Sequence, residues 1–380
     1  MDIASIEAAV EAIREGRMVI LVDDEDRENE GDLVVAAEKI TPEILQFMAR
    51  EGRGLICLSL MSEQVDQLGL APMVDSNNAP LGTAFTVSVD AADLEEDGIS
   101  AHARAHTILQ AIRSDATPRT LMSPGNMHPL RARSGGVLVR AGQTEGSVDL
   151  ARLAGLHPSG VICEIMSEDG SMARLPELLV FGEKHGIPVV TVADLIDHRM
   201  HSERHVHATT RACLPTEYGE FEIIAYETTL DSSAHIVLKH GVIDPEKPTL
   251  VRVHRADLLE DTLGVGLLRG RHKLDLAMRR IASEGAGLLV YLRGDTKADD
   301  LNETLARYCA PGDFQDGKRE DPSTTSAPPM DFRDFGIGAQ ILVDMNVQQI
   351  RVISDHPMAF KGLGGFGLEI VEWVPLASSH

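Results

Sequence analysis

The chain has 380 residues, of which 43% are hydrophobic and 25% are charged, and its formal net charge is −24. This length suggests about two globular domains, and the excess of acidic residues argues against nucleic acid or anionic membranes as partners. No apolar stretch is long enough to span a membrane and the chain does not start with the basic segment of a signal peptide, so we expect a cytoplasmic protein.

The first half of the chain mixes helical and strand patterns. Ser5 is typical of an N-cap, and apolar residues follow it with the helical period until Gly16. Further helices are predicted at 42–50, 101–112, 148–154 and 175–185, and strands at 18–22, 33–37, 54–60, 85–89, 135–140, 161–166 and 189–192. This mixture predicts an α+β or α/β domain that ends near residue 200.

The second half is separated from the first by a change in composition. Residues 201–211 are rich in His and Arg without apolar periodicity, and we interpret them as a linker. A second domain is predicted over 212–380, with strands at 222–226, 235–238, 250–254, 287–292, 340–345 and 349–353 and a helix at 274–283. The polar stretch 313–330 is predicted to be a disordered insertion.

An acidic segment, residues 23–32, stands out between two apolar strand patterns. Seven of its ten residues are acidic and one is Arg27. A calcium loop of the EF-hand type is excluded because its twelfth position would be Ala37 and its flanks are strands. A solvated loop and a site for a hard divalent cation both stay open. In an extended segment Glu28, Glu30 and Asp32 point to one side, as ligands would.

This segment and four further stretches resemble the family of 3,4-dihydroxy-2-butanone 4-phosphate synthases, in their order and spacing. The stretches are Val22–Asp32, Gly52–Cys57, Ala84–Val87, Gly135–Arg140 and Gly160–Ile165. The resemblance covers residues 1–200. It implies an α+β synthase domain that converts ribulose 5-phosphate to 3,4-dihydroxy-2-butanone 4-phosphate and formate, with Mg²⁺ or Mn²⁺ as cofactor and a homodimer as the assembly.

The resemblance also implies residue roles. The implied metal positions are Glu28 and Gln143. The implied substrate contacts are Arg27, Asp32, Arg140, Thr144 and Asn126. The implied catalytic group is the acid/base Glu164, together with Asp32, Glu30 and Cys57. For Cys57, composition alone instead favours a small core residue.

Four motifs depart from the family pattern. The family has His where this chain has Gln143 and Asn126, Thr-Thr-Gly where it has Glu96-Asp97-Gly98, and Asp where it has Ala103. The carbonyl of Gln143 still offers the oxygen that Mg²⁺ prefers. Asp97 and Glu96 would repel a phosphate.

The second half resembles GTP cyclohydrolase II and implies an α/β domain over 212–380. The matching stretches are Thr216–Phe221, Val251–His254, Tyr291–Arg293, Arg333–Gln340 and Gly362–Leu368. The family holds zinc with three cysteines, whereas the corresponding stretches here are Asp257–Asp261 and Leu268–Gly270. The family's Gly-Arg-Gly-Ile-Gly loop is replaced by residues 294–300. We therefore expect no zinc and no GTP cyclohydrolase II activity.

Three functions stay open from the sequence. One is a metal-dependent synthase with an inactive second domain, acting on a sugar phosphate. Another is an enzyme of the same scaffold that acts on a different small polyol or keto compound. The third is a non-catalytic regulatory protein. The intact acidic segment favours retained metal binding.

Overall fold

The computed structural model describes residues 2–24, 27–79, 81–95, 97–230, 233–257, 261–262, 270–293, 332–355 and 363–376. The chain forms two compact units, Met1–Arg199 and Met200–His380. Each unit contains a seven-stranded mixed sheet with helices, which confirms the predicted two-domain fold class. The predicted insertion at 313–330 lies outside the described residues. Within the described part of the chain, none of the helices has the length and apolar character needed to cross a bilayer.

The first unit holds these elements. Its helices are α1 (Ile6–Arg14), α2 (Pro42–Phe47), α3 (Ser62–Gln67), α4 (Ala101–Ala111), α5 (Gln143–Leu153), α6 (Leu175–His185) and α7 (Val192–Ser202), the last of which ends just beyond the unit boundary. Its strands are β1 (Val19–Val22), β2 (Gly31–Ala36), β3 (Cys57–Leu60), β4 (Val89–Ala91), β5 (Leu121–Arg131), β6 (Ser159–Glu164) and β7 (Val189–Thr191). They form one sheet in the order β4-β5-β3-β6-β2-β1-β7.

The two faces of this sheet have different partners. One face packs Leu33, Leu58 and Cys163 into a hydrophobic cluster with residues of α2, α4 and α6. On the other face α5 contacts β1, β2, β3 and β6. Its Gly146 lies directly against Leu21, which is the ladder partner of Asp32. Asp32 therefore belongs to the face that α5 covers.

The second unit holds β8 (Val206–Thr216), β9 (Gly219–Thr228), β10 (Ala234–His240), β11 (Thr249–Arg255), α8 (Gly270–Glu284), β12 (Gly287–Leu292), α9 (Phe332–Asp344), β13 (Gln349–Ile353) and β14 (Glu369–Val374). The sheet order is β14-β13-β11-β12-β10-β9-β8. The strands from β14 to β12 are parallel, and those from β12 to β8 are antiparallel.

Two predicted strands are wrong. Residues 135–140 contain a 3₁₀ turn, Gly136–Leu138, because Gly135 and Gly136 adopt positive φ and the N–H of Val137 bonds the buried Asp149. Residues 340–344 belong to α9 and Met345 follows it, because Ile337, Ile341 and Met345 recur at helical spacing and are buried. The short apolar run in this helix imitates a strand.

Other boundaries also differ. Of the predicted strand 85–89, Phe85 and Thr86 form only isolated bridges. The regular strand in this region is β4, which begins at Val89. The sequence reading missed β5 because Pro124, Gly125 and Pro129 resemble turn residues. The proposed linker 201–211 contains the end of α7 and the start of β8. β8 pairs with β9 along its length while most of its side chains are exposed, so a backbone ladder explains a strand without apolar periodicity.

Candidate active site

One face of the first sheet carries polar residues at neighbouring strand positions. Asp32 of β2 is opposite Glu164 of β6, and Cys57 of β3 is opposite Ile162 of β6. Opposed residues, and residues two apart in one strand, share a face. Asp32, Glu164 and Cys57 therefore lie together on the α5 side. The row continues into β5, where His128 is the partner of Cys57.

The carboxyl groups of this row hold protons more firmly than isolated ones. Burial raises the pKa of Asp32 well above its usual range, and the nearby Glu164 raises it further. Burial also raises the pKa of Glu164, against the hydrogen bond at 2.8 Å from the Leu55 N–H, which lowers it. The pKa of Glu30 is raised by burial and then by Glu28. Raised values of this kind suit groups that accept and return protons near neutral pH.

Asp23 organises the acidic segment. Its carboxylate accepts hydrogen bonds from the backbone N–H of Glu28 at 3.1 Å and of Glu30 at 2.8 Å, and from Arg27 Nη1 at 2.6 Å. Arg174 donates to the carbonyl oxygen of Glu28 at 2.8 Å. Sequence reasoning missed both roles, since no fixed spacing marks Asp23 and Arg174 is distant in the chain. Glu25 and Asp26 lie outside the described residues.

Arg27 joins the two predicted metal ligands. Its Nη1 donates to Oε2 of Glu28 at 2.8 Å and to Oε1 of Gln143 at 3.0 Å. Gln143 is the buried first residue of α5, and its Nε2 donates to the carbonyl oxygen of Glu30 at 3.4 Å. With Oδ2 of Asp23, three side-chain oxygens thus converge on one cationic nitrogen.

A cation held by Glu28 and Gln143 would keep much of its water. Within the described ranges, three or more His, Cys, Asp or Glu side chains never converge as a metal cage would require. Mg²⁺ is commonly bound by one or two carboxylates and several waters. Glu28 and Gln143 can supply the protein oxygens of such a site.

Arg140 lies on the other side of the α5 N-terminus. Its Nη1 donates to the buried Glu145 at 2.7 Å, and its Nη2 donates to the Thr83 hydroxyl at 3.2 Å. A Cβ added to Gly142 would meet Arg140 Nη1 at 2.7 Å and Arg27 Nη2 at 2.9 Å. Two guanidinium groups therefore meet at the N-terminal end of α5, as in an anion site.

A narrow cleft adjoins this point. Its lining includes Arg131, Arg133, Arg140, Thr144 and Glu145. Thr144 is buried in the first turn of α5, and its contact with the substrate stays a prediction. Sequence reasoning assigned no role to Glu145, which orients Arg140 and also accepts from the Arg133 N–H at 3.0 Å.

Asn126 is bound locally. Its backbone N–H and its Nδ2 donate to the two carboxylate oxygens of Asp90, at 2.9 and 2.8 Å. A Cβ added to Gly98 would meet Asp90 and Asn126 within 2.6 Å, so these three residues pack tightly. Its predicted substrate contact stays a prediction.

Cys57 is almost fully buried at 2% exposure. Burial raises the pKa of its thiol, and Glu164 and Asp32 raise it further, so the thiol is protonated at neutral pH. A thiolate nucleophile at this position is therefore disfavoured. A neutral S–H beside the carboxyl groups is the form in which Cys57 could contact a substrate.

The second unit has a buried polar cluster where the sequence predicted a lost zinc site. Both carboxylate oxygens of Asp261 lie 3.0 Å from Nε2 of His254 in β11, and Tyr291 of β12 donates to Oδ2 at 2.9 Å. The backbone N–H of Asp257 also donates to Oδ2 at 3.0 Å. This carboxylate is fully used by protein donors. The other predicted losses are at Leu268–Gly270 and 294–300. Of these residues, the structure describes only Gly270.

Comparisons with known proteins identify the families of both halves of the chain. Residues 7–198 match the 3,4-dihydroxy-2-butanone 4-phosphate synthase family, and residues 207–375 match the GTP cyclohydrolase II family. The riboflavin biosynthesis protein RibBA of Aquifex aeolicus strain VF5 is 47% identical over 377 residues, which cover 98% of this chain and 92% of that protein.

Two crystal structures are also similar. One is RibBX, described as a two-domain 3,4-dihydroxy-2-butanone 4-phosphate synthase from A. baumannii, with a TM-score of 0.80 and 40% identity over 98% of this chain and 99% of that one. The other is a 3,4-dihydroxy-2-butanone 4-phosphate synthase in complex with two magnesium ions, with a TM-score of 0.50 and 40% identity over 52% of this chain and 98% of that one.

Proposed function

The chain belongs to the 3,4-dihydroxy-2-butanone 4-phosphate synthase family, in the form that carries a GTP cyclohydrolase II domain, and we propose that it converts ribulose 5-phosphate to 3,4-dihydroxy-2-butanone 4-phosphate and formate for riboflavin biosynthesis. The observation that carries the proposal is the opposed pair Asp32 and Glu164, next to the described acidic residues that Asp23 holds by hydrogen bonds. Its second domain, we infer, has no GTP cyclohydrolase II activity.

The reaction needs proton transfer more than redox chemistry. The two products together contain the same atoms as ribulose 5-phosphate, so any water lost in a dehydration must be returned later. Glu164 acts as the acid/base group, and Asp32 and Glu30 hold further protons at the same face. Burial raises the pKa of each of these groups, which suits carboxyl groups that must both accept and return a proton. The neutral thiol of Cys57 completes the polar row.

Mg²⁺ or Mn²⁺ would be held by Glu28 and Gln143, with water as the remaining ligands. When bound, the ion supplies a Lewis acid for the substrate oxygens. Arg27 presently lies between the two ligand oxygens. Arg27 is therefore expected to turn toward the substrate when a cation takes that position.

The substrate phosphate is assigned to the point beside Gly142. Arg27 and Arg140 both reach this point, and Thr144 lies in the first helical turn next to it. Guanidinium groups and helix N-terminal N–H groups are strong phosphate donors. Asn126 is assigned to substrate contact. It lies in β5, at the end of the polar row opposite to Asp32.

The second domain lacks what ring opening of GTP requires. Zinc activates a water molecule only where one of its coordination positions is open. At the corresponding place in this chain, the carboxylate of Asp261 is instead bound by His254, Tyr291 and the Asp257 N–H. The whole chain has only four cysteines, and Cys57 and Cys163 are in the first unit. The donors for a three-cysteine site are therefore missing, and we propose that this domain has a packing, dimer-supporting or regulatory role.

A second candidate function is catalysis on another small polyol or keto compound. It is favoured by Asp97, which stands where the family has its phosphate turn. The Asp97 carboxylate accepts a hydrogen bond from the Ile99 N–H at 3.4 Å. A carboxylate there suits a substrate with less negative charge.

The homodimer and the cytoplasmic location also stay predictions. Sedimentation velocity can test the homodimer.

The test is product analysis with the purified chain. With ribulose 5-phosphate and Mg²⁺, we expect formate and a four-carbon phosphate in equal amounts, and no formate in excess EDTA. GTP supplied in place of ribulose 5-phosphate should release no formate. Absence of formate from ribulose 5-phosphate would reject the synthase proposal and favour the second candidate.

A further inference from the structure

One histidine on the α5 face of the first sheet has no role in the account so far. His128 of β5 is the ladder partner of Cys57, and Cys57 is opposite Ile162, two residues from Glu164. The next residue toward the N-terminus, Met127, is fully buried in the hydrophobic cluster of the opposite face. Strand alternation therefore points His128 to the face of the carboxyl pair.

The two ring nitrogens of His128 are in different surroundings. Nδ1 is buried and has no hydrogen-bond partner in the part of the chain that the structure describes. The residue as a whole is only half-buried. Nε2 is therefore the nitrogen that a ligand can reach.

This difference determines the tautomer. A buried N–H without an acceptor is rarer in proteins than a buried acceptor without a donor. The neutral ring is therefore expected to carry its proton on Nε2 and to leave Nδ1 as a bare acceptor. An imidazole in this state presents one N–H to the cleft.

Neighbouring polar groups suit this role less well. One N–H of Asn126 Nδ2, two residues earlier on the same strand face, already donates to Asp90. Asp32 and Glu164 carry carboxyl groups, which are negative whenever they act as bases. A neutral N–H donor beside them complements negative charge that develops on a substrate oxygen when a carboxylate removes a proton.

We propose that His128 is a substrate-contacting residue that donates a hydrogen bond from Nε2 to the oxygen that becomes negative during enolisation. The inference rests on the proposed synthase function. The proton removed from carbon passes to a carboxylate of the row, and the electron pair moves to the substrate oxygen that His128 contacts. His128 itself gains and loses no proton in this step.

Paired substitutions test which nitrogen acts. Gln places its amide N–H near the position of Nε2, whereas Asn places its amide near the position of Nδ1. We expect His128→Gln to keep formate release within about tenfold of wild type and His128→Asn to lose about a hundredfold or more in kcat, the usual cost of removing such a donor. His106→Gln, on α4 where the ring bonds Asp93, is the matched control and should leave activity unchanged.

The outcomes separate this inference from the proposed function. Wild-type formate release shows the function by itself. Equal losses in His128→Gln and His128→Asn, or activity of His128→Asn within threefold of wild type, would overturn the role of Nε2. Nitrogen-15 spectra of labelled histidine provide a readout that needs no turnover. The signals that disappear in His128→Gln should show protonated Nε2, and protonated Nδ1 would reject the inference.

Discussion

Asp32 and Glu164 are directly opposed in the β2–β6 ladder, on the sheet face that α5 covers. Like charges at opposed positions destabilise a sheet, and Asp32 is only 4% exposed, so little water screens it. The pair is unfavourable for folding when both groups are ionised. Such unfavourable pairs of carboxyl groups are typical of active sites, where activity and stability compete.

Replacing Asp32 by Asn should stabilise the chain in a pH-dependent way. The folded pKa of Asp32 is raised, so its contribution to folding is fully present below the unfolded value of about 3.9 and is lost as pH rises through the folded value. Asp32→Asn should be more stable than wild type at pH 8, by on the order of 1–2 kcal/mol, and nearly equal to it at pH 4. Calorimetry of the full chain at both pH values measures this. Lower stability of the variant at pH 8 would contradict the assignment.

Gln143→His should change the metal preference. Mg²⁺ selects oxygen ligands, whereas imidazole binds softer first-row ions better. The variant should therefore gain affinity for Mn²⁺ relative to Mg²⁺, by about tenfold in the ratio of dissociation constants. Titration calorimetry with each ion gives the ratio. Gln110→His on α4 is the control, and an unchanged ratio at Gln143 would place the metal elsewhere.

Asp23→Ala should disorder the acidic segment. The backbone N–H groups of Glu28 and Glu30 would lose their acceptor, at a cost of about 1–3 kcal/mol, and Arg27 would lose one partner. We expect kcat/KM to fall by at least about tenfold, with a smaller fall for Asp23→Asn. Asp115→Ala, on an exposed ion pair with Arg113, should have little effect. Equal kinetics for Asp23→Ala and wild type would show that the loop does not need this carboxylate.

In the second domain, Asp261→Asn should destabilise the fold above acidic pH. Burial raises the pKa of Asp261, but bonds from His254, the Asp257 N–H and Tyr291 outweigh it, so the net pKa is lowered. The stabilisation is therefore present above the unfolded pKa and is lost as pH falls through the folded one. Hydrogen exchange of β11 and β12 peptides at pH 7 should be faster in the variant. Unchanged exchange would mean that the cluster does not stabilise these strands.

Zinc analysis of the wild-type chain should find no stoichiometric zinc.

The sequence allowed the main features of the candidate site to be predicted. The acidic segment lies between two strongly apolar strands, so its ends are fixed by simple patterning, and Glu164 is the last residue of the buried strand β6. The organising roles of Asp23 and Arg174 depend on contacts between distant positions. No local pattern encodes such contacts.

The errors in the fold have local causes. Gly135 and Gly136 use positive φ values to form a tight turn in an apolar stretch that otherwise imitates a strand. In β5, Pro124 and Pro129 are residues typical of turns, and the sequence therefore did not predict this long strand. The position of His128 beside Cys57 could not be predicted either. Both cases show backbone geometry overriding residue preference.

The most direct measurement is formate release from ribulose 5-phosphate by wild type, Glu28→Ala and Glu164→Gln, each with saturating Mg²⁺. The account predicts turnover by the wild type and a loss of at least about a hundredfold in both variants, since one removes a metal ligand and the other the acid/base group. A wild type that releases no formate, or a Glu164→Gln variant as active as wild type, would contradict it.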